Sequence, residues 1–190
     1  MNIYSDVELI AVSKIHKSEL GGADFLSSCS TLFIRYFYKN ILKDKNNQLF
    51  IVEESNKVVG FAFFTLKKDV LFKKFVKDNL FRILFSPSAL ISLIKTIFIR
   101  QKKTLRYQYD SDLVYIAVRR DSRSKGYARK LLEHVETFCS DNSHDNYFLQ
   151  VFKDNTNAVR FYVKYGFEVI EEYSARNKTK LLMRKSINIE

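Results

Sequence analysis

Val114-Tyr115-Ile116-Ala117-Val118-Arg119-Arg120-Asp121-Ser122-Arg123-Ser124-Lys125-Gly126-Tyr127-Ala128 runs from five apolar residues through a polar turn into a segment of helical periodicity. The apolar run reads as a buried strand, and Ala128, Leu131, Leu132, Val135, Phe138 and Cys139 fall on one face of a helix over Tyr127 to Cys139. A helix that opens directly after a strand and a turn presents unpaired backbone N–H groups and the positive end of its dipole, a natural seat for an anion. Gly126 is the only glycine of the window and lets an anion approach the backbone, while Lys125, Arg129 and Lys130 add cations and no acid falls in the first turn. The pattern suits a diphosphate. Neither GxxxxGK[ST] nor GxGxxG occurs anywhere in the chain, so the two common nucleotide loops are excluded.

Downstream of this window, Tyr147 to Val151 reads as another buried strand, Asn155 to Tyr165 as a helix stopped at Gly166, and Phe167 to Tyr173 with Lys180 to Arg184 as a closing hairpin. Upstream, Ser5 with Glu8 three residues later is a capping box for a first helix that runs to about Ser18. A second helix is predicted over Phe25 to Leu42, and Gln48 to Glu53 and Lys57 to Thr65, joined by Glu54-Ser55-Asn56, form a hairpin. Leu66 to Leu105 reads as two amphipathic helices, one starting near Asp69 and one at Ser86-Pro87, with Ser in the N-cap place and Pro at the first helical position. This stretch holds ten Lys and Arg against Asp69 and Asp78, so most of the chain's net charge of +11 sits in it.

The chain has 190 residues, 32 of them Lys or Arg against 21 Asp or Glu, and 46% are apolar, which fits one domain with a real core and excludes disorder as the main state. Cys29 and Cys139 each stand alone in a helical segment, which suits a reducing, cytoplasmic compartment better than a disulfide scaffold. Met1 to Glu8 has no basic region followed by an apolar stretch, so no signal peptide is expected. The longest apolar run, Ala89 to Ile99, is broken by Ser92, Lys95 and Thr96 and falls short of the roughly 20 residues that span a bilayer. His16, His134 and His144 are scattered and pair with neither cysteine at ligand spacing, so no metal is expected. The basic balance points to an anionic partner: a phosphorylated small molecule, a lipid head group or nucleic acid.

The segment Arg123-Ser124-Lys125-Gly126-Tyr127-Ala128 resembles the [Q/R]-x-x-G-x-[G/A] coenzyme A loop of the GNAT acyltransferase superfamily. Tyr147-Phe148-Leu149-Gln150-Val151, Asn155-Thr156-Asn157-Ala158, Phe161-Tyr162 and Tyr165-Gly166-Phe167 resemble its following strand, N-x-x-A helix start, helix tyrosine and G-F exit, in the same order. The resemblance implies a mixed α/β fold over residues 1–190 as a single domain: a central sheet of about six to seven strands flanked by helices, with residues 66–105 as a helical insertion between the third and fourth strands. It also implies acetyl-CoA as acyl donor, lying in a splay between the fourth and fifth strands. The pyrophosphate would rest on Arg123, Ser124, Lys125, Gly126, Tyr127 and Ala128, with the pantetheine arm paired to backbone around Ile116, Ala117 and Val118. An amine attacks the thioester directly in this family, the residue matching Asn155 contacts the cofactor, and the residue matching Tyr162 is the general acid for the departing thiolate. Asn155, Ala158 and Tyr162 lie three and then four residues apart, so they share a helix face with a small side chain in the middle.

One departure from the family concerns the base. Members that acetylate protein N-termini often carry Glu on the fifth strand; Gln150 stands there and cannot accept a proton at neutral pH. Asp112 at the start of the fourth strand is the leading carboxylate candidate, with Tyr115, His16 and Glu19 behind it. Plainer readings stand beside these. Gly126 can be a turn glycine, Asn155 a helix cap, Tyr162 a core aromatic, Asp112 a solvated strand-end acid, and the basic insertion a packed helical pair with solvated lysines. The expected activity is acetyl transfer to a small-molecule primary amine. The preferred acceptor is an amino sugar or sugar nucleotide, whose phosphates would match the basic flank, and a protein or peptide amine is the alternative. Two non-enzymatic rivals, an anionic-membrane module and a nucleic-acid binder, use the same basic segment but leave the coenzyme motifs unexplained, so no nucleic acid is expected.

Overall fold

The capping box at Ser5 forms as its spacing requires: Ser5 Oγ accepts from the Glu8 N–H, the Glu8 carboxylate accepts from the Ser5 N–H, and helix α1 runs over Asp6–Glu19. This computed structural model describes residues 4–21, 25–79, 83–85, 90, 106–175 and 178–187. The helix expected over Phe25 to Leu42 is two helices, α2 (Phe25–Ser28) and α3 (Thr31–Ile41). Ser30 divides them, because it leaves the helical region and its hydroxyl accepts from the Phe33 N–H at 3.3 Å. Strands β1 (Asn47–Glu54) and β2 (Lys57–Thr65) follow as an antiparallel hairpin. Their two-residue turn has positive φ at both Ser55 and Asn56, the twist-matched geometry for tight hairpins.

The first helix of the basic insertion is α4 (Lys68–Asp78), and the second, expected from Ser86-Pro87, lies outside the described residues. Next come β3 (Asp112–Val118), a short 3-10 turn at Arg120–Ser122, α5 (Tyr127–Asp141), β4 (Asn146–Phe152), α6 (Thr156–Tyr165), β5 (Glu168–Ala175) and β6 (Lys178–Ser186). The sheet has six strands in the order β1-β2-β3-β4-β6-β5. The insertion therefore sits between the second and third described strands, and the expected fourth and fifth strands are β3 and β4. Among the described residues no helix is long and apolar enough to cross a membrane.

Alternating side chains along β2 and β3 build a core on each face of the sheet. Phe61, Phe63, Tyr115 and Ala117 pack with α1, α3 and α4 on one face, while Ala62, Phe64, Leu113 and Val118 pack with α5 and α6 on the other. Helix α4 is part of the first core. Its Phe72 and Phe75 rings lie 5.8 and 4.8 Å from that of Phe37, which also contacts Tyr38 and Phe63 and is fully buried. The outward stripe of α4, Val70, Lys73, Lys74 and Lys77, is exposed, so the helix is amphipathic as expected. Phe37→Ala should lower the unfolding free energy by about 3–5 kcal/mol in urea titration, the usual cost of deleting a buried aromatic ring.

Candidate active site

The centre of the sheet comes apart by design of its pairing. β3 and β4 run parallel but pair only at Asp112 with Phe148 and Leu113 with Leu149. β3 stays paired to β2 as far as Val118, and β4 stays paired to β6 as far as Phe152. Beyond Leu113 and Leu149 the two strands thus form a fork, each with one edge of backbone N–H and C=O groups turned toward the gap. Phe63 pairs with Tyr115 and Phe64 with Leu113, so Val114 is an extra residue, a β-bulge at the root of the fork. Ile116, Ala117 and Val118 lie on the β3 arm, beyond its pairing with β4.

Past the β3 arm the chain turns through the 3-10 segment into α5. Ser124 and Gly126 have φ of +64° and +82°, and Gly126 is the N-cap of α5. A Cβ at Gly126 would meet nothing within 4 Å, so the space above this backbone is open and the glycine is required by its left-handed conformation alone. The Lys130 N–H bonds to Gly126 C=O at 3.0 Å, and the preceding N–H groups of the turn have no acceptor within the helix. The first turn carries no acid. The cationic side chains are arranged otherwise than the sequence suggested. Arg123 Nη2 lies 2.6 Å from the Glu19 carboxylate while its Nε donates to Val118 C=O at 3.1 Å, and Lys125 Nζ lies 2.6 Å from Glu54, which also accepts from Ser122. The hydrogen bond to Lys125 holds the Glu54 carboxyl below its usual range and, in return, raises the Lys125 ammonium. These pairs brace the loop against the end of α1 and the end of β1.

Across the fork stands α6. Asn155 caps it, its Oδ1 accepting from the Ala158 N–H at 3.3 Å, so the capping reading of this residue holds in the structure. Tyr162 is buried beside Phe161 and Phe167, both with ring centres at 5.4 Å, and burial raises its phenol well above the ordinary value. It stays protonated at neutral pH. Among the described residues no side chain or backbone group bonds to its hydroxyl, so its proton is not engaged within the core.

The opposite face of the fork carries the base candidates. Asp112 is buried rather than solvated, with Oδ2 3.2 Å from Lys68 Nζ, and Lys68 also sits 3.7 Å over the ring of Tyr109. His16 is a core residue: its Nδ1 is 2.8 Å from Tyr38 Oη, and its ring meets Phe61 and Tyr115. Glu19 is engaged by Arg123. Tyr115 closes the first core beside His16. Gln150, the first residue of β4 beyond the paired root, is held at both ends of its amide. Nε2–H donates to Tyr109 Oη and Oε1 accepts from Tyr173 Oη, both at 2.5 Å. Burial, with the nearby charges of Asp112 and Glu171, raises the Tyr173 phenol well above its ordinary value. Lys68, Tyr109 and Tyr173 are members of this cluster that sequence reasoning did not find. They lie on three separate segments with no motif linking them.

The sequence model described as Acetyltransferase (GNAT) family matches residues 18–167. The chain belongs to the GNAT acetyltransferase family. Among curated relatives, N-alpha-acetyltransferase 50 of Danio rerio is 44% identical over 50 residues, which make up 26% of this chain and 30% of that protein. Among solved structures, PH1933 from Pyrococcus horikoshii OT3 is 18% identical with a TM-score of 0.62, covering 99% of this chain and 96% of that one. The ribosomal-protein-S18-alanine N-acetyltransferase from Escherichia coli is 16% identical with a TM-score of 0.61, covering 100% of this chain and 94% of that one. At these identities the two structures speak for a shared GNAT fold.

Proposed function

We propose that this GNAT enzyme transfers the acetyl group of acetyl-CoA to a primary amine, with the α-amino group of a peptide or protein as acceptor. The observation that carries the donor reading is the fork. Two facing strand edges, open space at Gly126 and the amino end of α5 together fit a long donor with an anionic head. Acetyl-CoA, when bound, supplies an activated acetyl thioester. Backbone N–H groups around Lys125 to Ala128 would hold its pyrophosphate, with Arg123 and Ser124 shaping the turn. Ile116, Ala117 and Val118 would offer peptide groups to the pantetheine arm, and Asn155 would border it from α6. Tyr162 holds a proton at Oη for the departing sulfur, and its burial keeps that proton in place at neutral pH.

The α5 and α6 face of the fork is filled by these elements, which supports approach of the amine on the other face, among Asp112, Tyr109, Gln150 and Tyr173. Asp112, held by Lys68, is the carboxylate nearest the root and is the acceptor-side base in this reading. Support for a peptide acceptor comes from the stretch shared with the zebrafish protein, whose name states N-alpha-acetylation. An amino sugar carried on a diphosphate, preferred from the sequence, is the second reading, favoured by the basic charge of residues 66–105.

Thiol release from acetyl-CoA should be followed with a panel of peptides of varied first residue and a panel of amino sugars, free and nucleotide-linked. Turnover confined to peptides supports the first reading, and turnover confined to sugars replaces it with the second. Tyr162→Phe should keep coenzyme affinity and lose turnover by about 10²–10⁴-fold, the range of general-acid contributions; unchanged turnover with chemistry rate-limiting removes Tyr162 from the mechanism. Gly126→Glu places bulk and negative charge in the open space over the loop, so calorimetry on the folded variant should show coenzyme A binding nearly abolished.

A further inference from the structure

Both ends of the basic insertion are tied to the acceptor face of the fork. At its start, Lys68 pairs with Asp112, and its N–H donates to Asp110 C=O at 3.1 Å. At its end, the segment 106–110 lies across β4 and β5. The N–H groups of Arg106 and Tyr107 donate to the Glu171 carboxylate at 2.9 Å, and the rings of Tyr107 and Tyr109 rest on Phe148 at 5.4 and 4.6 Å. The insertion's return therefore forms a wall beside the root of the fork, with Tyr109 as its innermost polar group.

The hydrogen bonds at that wall have a direction. Tyr173 donates to Gln150 Oε1, which fixes the orientation of the amide, and Gln150 Nε2–H donates to Tyr109 Oη. A phenol oxygen that accepts from the amide keeps its own O–H to give elsewhere. Among the described residues no group accepts it. The relay from Tyr173 through Gln150 to Tyr109 thus ends in an oriented O–H donor beside the first residue of β4 beyond its pairing with β3.

We propose that Tyr109 is a specificity-determining residue that donates a hydrogen bond to the carbonyl oxygen of the acceptor's first residue, with Gln150 and Tyr173 as the positioning residues that set its polarity. An amine attacking at the root of the fork on this face carries, in a peptide, a carbonyl oxygen two carbon atoms from the nitrogen, within reach of a neighbouring donor. The inference rests on the reading that the fork takes acetyl-CoA and a peptide amine. It gives Gln150 a definite task in place of proton acceptance: a glutamine has one donating and one accepting end, whereas a carboxylate accepts from both sides and would draw the Tyr109 hydroxyl inward.

The test uses the full chain and the best peptide of the acceptor panel, beside an (E)-alkene isostere of that peptide's first peptide bond. Tyr109→Phe keeps the ring on Phe148 and should raise the peptide's KM roughly five- to tenfold, the scale of one neutral hydrogen bond, with the KM of acetyl-CoA unchanged. The alkene acceptor should show no difference between wild type and variant. Gln150→Glu should raise the peptide's KM to a similar degree although Tyr109 is intact. An unchanged peptide KM in Tyr109→Phe, an equal loss with the alkene acceptor, or a Gln150→Glu enzyme that uses the peptide as well as wild type overturns the assignment while leaving the acetyltransferase reading in place. No transfer by the wild type to any peptide overturns both.

Discussion

Two residue pairs hold the two halves of the sheet together: Asp112 with Phe148 and Leu113 with Leu149. A parallel pairing this short is costly in a sheet interior, because every strand residue beyond it turns hydrogen-bonding groups toward a gap. The rest of the structure compensates. β3 is anchored along its length by β2, β4 by β6, and aromatic and aliphatic cores cover both faces, so that the fork can stay open without the halves separating. The Val114 bulge lies where pairing ends and adds twist to β3 at that point, helping the arm bend away from β4. In the proposed function the separation of the strands makes room for the donor, and the short pairing at the root brings groups from both halves close to the reacting position.

The braces around α5 follow from the same requirement. A loop that offers backbone N–H groups to an anion cannot also bond them internally, so its shape must come from side chains. Arg123 reaches Glu19 at the end of α1, Lys125 reaches Glu54 at the end of β1, and Ser122 joins the second pair. Exposed pairs of this kind contribute little to stability singly. Their use here is geometric, tying the loop to two elements on the other side of β3. Paired in this way, Arg123 and Lys125 also offset the negative charge of Glu19 and Glu54 beside the loop.

Much of this was legible in the sequence wherever local chemistry settles local structure. The capping box at Ser5, the stop at Gly166 and the strand-turn-helix window around Gly126 stand where their residues put them. The break at Ser30 carried a cap signal of its own, hidden by the helical spacing of the apolar residues on either side. What was not legible depends on contacts between segments distant in the chain. Asp112 reads as a strand-end acid until α4 brings Lys68 to it, and Gln150 reads as a missing base until Tyr109 and Tyr173, 41 and 23 residues away, close on its amide. The pairing of Arg123 with Glu19 on α1 and of Lys125 with Glu54 on β1 likewise joins residues far apart in the chain.

The most direct test of the central claim is a backbone amide titration of the isotope-labelled protein with coenzyme A. The account predicts that the largest shifts fall on Lys125 to Arg129 and on both arms of the fork, Val114 to Val118 and Gln150 to Phe152. A cavity of about 700 Å³ between α3 and α4, lined in part by Tyr36, Asn40, Lys67, Lys74 and Asn79, offers a well-defined alternative. Shifts confined to those residues, or a saturating titration that leaves both arms of the fork unmoved, would contradict the account.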